Sequence, residues 1–220
     1  MSARRAAFAL LTLIAGPALG AQGLGPEGDR AAQQRIDAIV RDFDRRGLPS
    51  ELLRAKIAEG TAKGASQPRI ADAVAVLAVR VDSVARLLAP SVTVPELHAG
   101  AEALAIGVSA PSLRTIRRAA GRHSAEPGIL LVIRLVRRGV TQDQAVRAAR
   151  ALLDRQVAPG ALLALGDDFA RDVSAGIAPA EALNDRLTRL VGGGASAGAA
   201  ANGADGGPGV TGATGARARP

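Results

Sequence analysis

The stretch RRGVTQDQAVRAARALL, Arg137–Leu153, decides how the chain is built. Gly139 ends one apolar helical pattern, where a left-handed residue closes a helix without a Cβ clash. Val140 follows as the aliphatic residue between helices, and Thr141 with Gln144 has the spacing of a capping box for the next. Looser forms recur as RGLPSELL from Arg46, KGASQPRI from Lys63, IGVSAPSL from Ile106 and AGIAPAEAL from Ala175. Pro49, Pro68, Pro95, Pro111, Pro159 and Pro179 fall where a first helical turn begins, whose N–H groups have no intrahelical acceptor. The signature therefore stops one helix and starts another within a few residues, and it requires no ligand.

Between these junctions the apolar period is helical. Ile36, Ile39, Val40 and Phe43 form one stripe, and Leu52, Leu53 and Ile57 a second. Ile70, Val74, Leu77, Val81, Val84 and Leu88 alternate at spacings of four and three along one long helix. Further stripes run through Leu97, Ala101 and Leu104, through Leu113 and Ile116, and through Ala145, Ala149 and Leu152. The last two comprise Leu162, Leu165, Phe169 and Val173, then Leu183, Leu187 and Leu190. No segment alternates long enough for a strand, since Val92–Val94 is ended by Pro95. The expectation is an all-α fold of eight to nine short helices over residues 30–191. Junctions near residues 47, 91 and 139 suggest degenerate helical repeats of about 45 residues, the period of HEAT-like and armadillo-like arrays. No consensus position of either family is matched.

The apolar content, 48% of 220 residues, is almost wholly aliphatic, with three Phe and no Trp or Tyr. Helices must approach closely to build such a core, and stacking on bases or sugars has little to work with. With no cysteine, disulfides, thiolate catalysis and thiolate metal sites are excluded. Residues 1–21 run from Arg4 and Arg5 through an apolar stretch to small residues at Gly20 and Ala21, the order of a secretory signal peptide. Residues 22–29 are expected to be a linker and residues 192–220, rich in Gly and Ala, a disordered tail. The longest internal apolar run, ILLVIRLV at Ile129–Val136, is too short for a membrane anchor and carries Arg134.

The chemistry-bearing residues are sparse. Gly23, Gly25 and Gly28 have GxGxxG spacing, but no strand precedes them and Pro26 interrupts. His98 and His123 lack companions at metal-ligand spacing. Asp167, Asp168 and Asp172 are expected on a solvated helix face, with Arg171 beside them. Ser83, Ser109, Ser124 and Ser174 lack a nucleophile's setting, and Ser109 reads as a cap. No catalytic, cofactor-binding or metal residue is expected. The one suggestive group is basic: Arg114, Arg117, Arg118, Arg122, Arg134, Arg137 and Arg138, opposed only by Glu126. These arginines are expected to rim buried stripes with solvated heads. The alternative is an anion-binding face of Arg114, Arg117, Arg118, Arg122, Arg137 and Arg138, for anionic lipid, nucleic acid or acidic glycan. The sequence points to an exported, periplasmic or extracellular, non-enzymatic protein, with another protein or an envelope component as partner.

Overall fold

A computed structural model describes residues 25–197. The expected leader and residues 198–220 of the expected tail lie outside the described residues. Nine helices and no strand occur among them: α1 (Pro26–Arg45), α2 (Glu51–Ala62), α3 (Gln67–Leu88), α4 (Val94–Ala105), α5 (Ala110–Ala120), α6 (Glu126–Arg137), α7 (Gln142–Asp154), α8 (Pro159–Ser174) and α9 (Pro179–Ala197). The all-α expectation is met, with both ends extended. Pro26 fits the first turn of α1, so part of the expected linker is helix, and α9 carries the helical segment past residue 191. The expected domain 30–191 also divides into two units, at Val79 and Arg80 within α3.

The junction chemistry is visible in the backbone. Gly139 has φ +92, and its N–H donates to Val136 O at 3.1 Å while Val140 N–H donates to Leu135 O at 3.1 Å. Those two bonds are the Schellman closure, which uses carbonyls the helix leaves unpaired. The same pair occurs after α1, α2, α4, α7 and α8, centred on Gly47, Gly64, Gly107, Gln156 and Gly176. The aliphatic residue that follows is buried at Val108 and Val140, whereas Ile177 is 40% exposed.

Capping is more varied than the pattern predicts. Thr93 and Glu96 form the full capping box, and Ser109 Oγ accepts Ser112 N–H. Thr141 Oγ1 accepts Gln144 N–H at 3.4 Å, but Gln144 Oε1 takes the Thr141 hydroxyl at 2.9 Å rather than its N–H. Ser50 has helical backbone and makes no cap hydrogen bond.

Gln156 is the one non-glycine with positive φ among the described residues, at +56. A left-handed L-residue costs about 1–2 kcal/mol, and glycine gives back about 0.5–1 kcal/mol in unfolded-chain entropy. Gln156→Gly should therefore raise stability by roughly 0.5–1 kcal/mol. A denaturant midpoint that does not rise would show that the Gln156 side chain contributes something the glycine loses.

In the first unit, α1 buries Ala32, Ile36, Val40 and Phe43 on one stripe, α2 buries Leu53, and α3 contributes Ile70, Ala71 and Val74. Arg35 Nη1 meets Asp72 Oδ1 at 2.7 Å, joining α1 to α3. In the second unit α6 is central, packing against α4, α7 and α8; α5 packs on α7 and α9 on α8. Its Ile129, Leu131, Val132, Ile133 and Leu135 are all buried, which is why its sequence is apolar nearly all round.

Burial carries a period the junction spacing obscures. The buried residues of α4 are Glu96, Leu97, Ala99, Gly100, Ala101 and Ala103, and each recurs 32 positions later in α6 as Gly128, Ile129, Leu131, Val132, Ile133 and Leu135. Leu113, Ile116 and Ala120 of α5 recur likewise as Ala145, Ala148 and Leu152 of α7. This spacing differs from the expected period of about 45 residues; Gly121, which ends α5 with φ +58, is a junction without the aliphatic and Ser/Thr residues of the signature.

Candidate basic face on helices α5 and α7

The seven arginines of the sequence group do not converge. Four reach across to other helices or loops. Arg117 Nη1 donates to His123 O at 2.9 Å and stands 3.5 Å from Glu96 Oε1. Arg134 Nη1 donates to Leu163 O at 2.9 Å and pairs with Asp167, tying α6 to α8. Arg137 Nη2 meets Glu102 Oε1 of α4 at 2.7 Å. Arg138 Nη1 donates to Ser174 Oγ at 2.8 Å and Ala170 O at 3.3 Å, a second tie to α8. Arg117, Arg137 and Arg138, which the alternative reading assigned to an anion-binding face, are thus engaged as helix ties. Arg114, Arg118 and Arg122 are exposed and make no hydrogen bond or ion pair among the described residues.

Two arginines that sequence density did not single out join them. Arg147 on α7 and Arg155 at its C-cap are likewise exposed and unpaired among the described residues. The helices α5 and α7 pack together and bury matching positions, so the faces they leave to solvent adjoin. Arg114 and Arg118 lie one turn apart on α5, while Arg122 and Arg155 follow the C-terminal turns of their helices. Arg150 is paired with Asp154 at 3.3 Å, and Asp143 is the one carboxylate of α5 and α7 with no partner among the described residues. Arg147 joins the group only through the packing of α7 on α5, which the density of arginines along the sequence does not show.

Charge elsewhere is balanced. Residues 21–190 hold 24 basic and 19 acidic side chains, of which residues 110–155 hold 10 and 3. The remainder has 14 basic against 16 acidic, so the whole surplus sits around α5–α7.

The other polar groups are committed to the fold. Glu96 is 2% exposed. Its Oε2 accepts Thr93 N–H at 2.9 Å and the Thr93 hydroxyl at 3.1 Å, and its Oε1 accepts Ala125 N–H at 2.7 Å. Burial opposes its ionisation, but the Thr93 and Ala125 N–H groups, the Thr93 hydroxyl and Arg117 outweigh it and hold the carboxyl below its ordinary value. Of the three aspartates of α8, Asp167 is exposed as expected, whereas Asp168 and Asp172 are half-buried against α9. Arg186 of α9 grips Asp172 with Nε at 2.6 Å and Nη2 at 2.7 Å and reaches Asp168 Oδ2 at 3.2 Å; Arg171 also pairs with Asp168. Lys56 and Lys63 hold Glu59 at about 2. Gln142 of α7 accepts Ser109 N–H at 3.0 Å and donates to Ser109 Oγ and Ser112 Oγ, tying α7 to α5.

His98 and His123 are exposed, and Gly25 and Gly28 stand at the cap and in the first turn of α1. Among the described residues no group of three or more ligating side chains could hold a metal ion, and no helix is long and apolar enough to cross a membrane. An open groove of about 550 Å³ in the first unit is lined by Ile36, Val40 and Ile57 with Asp37, Asp44 and Arg54 at its sides. No family model matches the chain, and the comparisons with curated proteins and with solved structures find no match.

Proposed function

We propose that the chain is an exported, non-catalytic helical protein that binds another component of the cell envelope through the outer face of α5 and α7. The division among the arginines carries this reading. Around α5–α7, those that face other elements are spent as ties, and Arg114, Arg118, Arg122, Arg147 and Arg155 face solvent with no partner among the described residues; Arg30, Arg41 and Arg69 are also exposed without a partner but are spread over α1 and α3. Exposed like charges repel one another and add nothing to a fold, so their concentration on one face is explained by something outside it.

Binding is favoured over catalysis because the conspicuous acids of α8 are neutralised by Arg134, Arg171 and Arg186. The basic, apolar and small-residue order of residues 1–21 supports export. The test is retention of the purified full chain on a washed envelope fraction. Saturable retention, displaced by excess unlabelled chain, is expected. Retention that never saturates, or turnover of hydrolase or transferase substrates by the purified chain, contradicts the proposal.

A further inference from the structure

The chemistry of the α5–α7 face narrows its partner. Arginine meets phosphate oxygens through a planar fork of donors and stays charged at any physiological pH. Arg114, Arg118, Arg122, Arg147 and Arg155 present that chemistry on the sides of two adjoining helices, with Asp143 the one free carboxylate among them.

The face has no means to insert or to stack. The large apolar side chains exposed among the described residues are Val76, Val79, Val94 and Ile177, none of them on α5 or α7. Phe43 and Phe169 are buried, and the chain has no Trp or Tyr. Single-stranded nucleic acid would find no ring to stack on. A duplex is read by an element that enters a groove, and here two packed helices offer a broad side rather than one projecting end. A plane of phosphate headgroups asks only for charge spread over a broad surface.

We infer that the α5–α7 face docks on the phosphate headgroups of an anionic phospholipid bilayer, without penetrating it. This rests on the proposed envelope-binding role and names its partner. Arg114 and Arg118 anchor the α5 side, Arg147 the α7 side, and Arg122 and Arg155 the C-terminal ends.

Flotation of the full chain with phosphatidylcholine vesicles, with and without phosphatidylglycerol, tests this directly. Binding should require phosphatidylglycerol and weaken steeply from low to physiological salt. The combined variant Arg114→Gln, Arg118→Gln, Arg147→Gln should lower partitioning on the order of 100-fold, about five-fold per arginine, with an unchanged melting curve. A control removing equal charge from the first unit, Arg30→Gln, Arg41→Gln, Arg69→Gln, should lower it only about two- to three-fold, as a nonspecific charge effect. Equal losses from the two variants, or equal binding to neutral vesicles, would overturn the docking face. Binding to duplex DNA at physiological salt with none to vesicles would overturn the lipid partner. Loss of vesicle binding with saturable envelope retention intact defeats the lipid assignment alone. Loss of both defeats the underlying role as well.

Discussion

Glu96→Ala should cost about 3–5 kcal/mol, the loss expected when one member of a buried, charge-assisted network is removed. The substitution strands the N–H groups of Thr93 and Ala125 and leaves Arg117, 16% exposed, without its carboxylate. It also uncouples the start of α4 from the residue that precedes α6, since Ala125 offers no cap of its own. Against a total stability of about 5–15 kcal/mol, such a loss leaves the variant marginal. Urea unfolding of wild type and variant measures it, and a loss below about 1 kcal/mol would show that the carboxylate is dispensable.

The same group sets an acid limb. Its folded pKa lies below the ordinary value of 4.5, so its contribution is fully present above that value. As pH falls through the folded pKa, protonation removes it. Glu96→Gln should therefore be less stable than wild type at neutral pH, and the difference should shrink on acidification. A difference that holds constant or grows toward low pH would contradict this sign.

Gly100→Ala should also destabilise, by about 1–3 kcal/mol, although alanine is the better helix former by about 1 kcal/mol. A Cβ at Gly100 would stand 2.5 Å from Val84 Cγ1 and 3.0 Å from Val84 Cγ2. Val84 is fully buried in α3 and, being β-branched, cannot swing aside. Val84→Ala opens the space, so the double variant should be more stable than the two single losses added together, by roughly 0.5–3 kcal/mol. Strict additivity would mean that α3 and α4 do not meet at this contact.

The contrast between Gly139 and Gly121 shows what was legible beforehand. Gly139 is followed by Val140 and Thr141, so the helix stop, the 6→1 closure and the next cap are all written within three residues of local chemistry. Gly121 is followed by Arg122 and His123, and α6 begins from Ala125 with no side-chain cap. The glycine–aliphatic–Ser/Thr signature is absent there, and only the loop GRHS marks the junction in the sequence. The long stripe of α3 was legible for the opposite reason: Ile70, Val74, Val81, Val84 and Leu88 are all buried, with Ala78 replacing Leu77 by one position.

The arginine group was legible as a density and not as a direction. What separates Arg138 from Arg118 is whether a partner from a distant element stands opposite. Arg134 and Arg138 find theirs 29 to 36 positions along the chain, on α8. Glu96 stands three residues after Thr93, the spacing of a capping box, but its second acceptor role toward Ala125, 29 positions away, depends on packing.

The central claim is that the glycine–aliphatic–Ser/Thr signature is structural and that binding belongs to the arginine face. Gly139→Val, examined in parallel for thermal melting and for retention on the envelope fraction, tests it most directly. A side chain forced to φ +92 should cost roughly 1–2 kcal/mol, and below the melting transition retention should equal that of wild type. A variant that melts like wild type yet loses its retention would place the signature in a binding site and contradict the account.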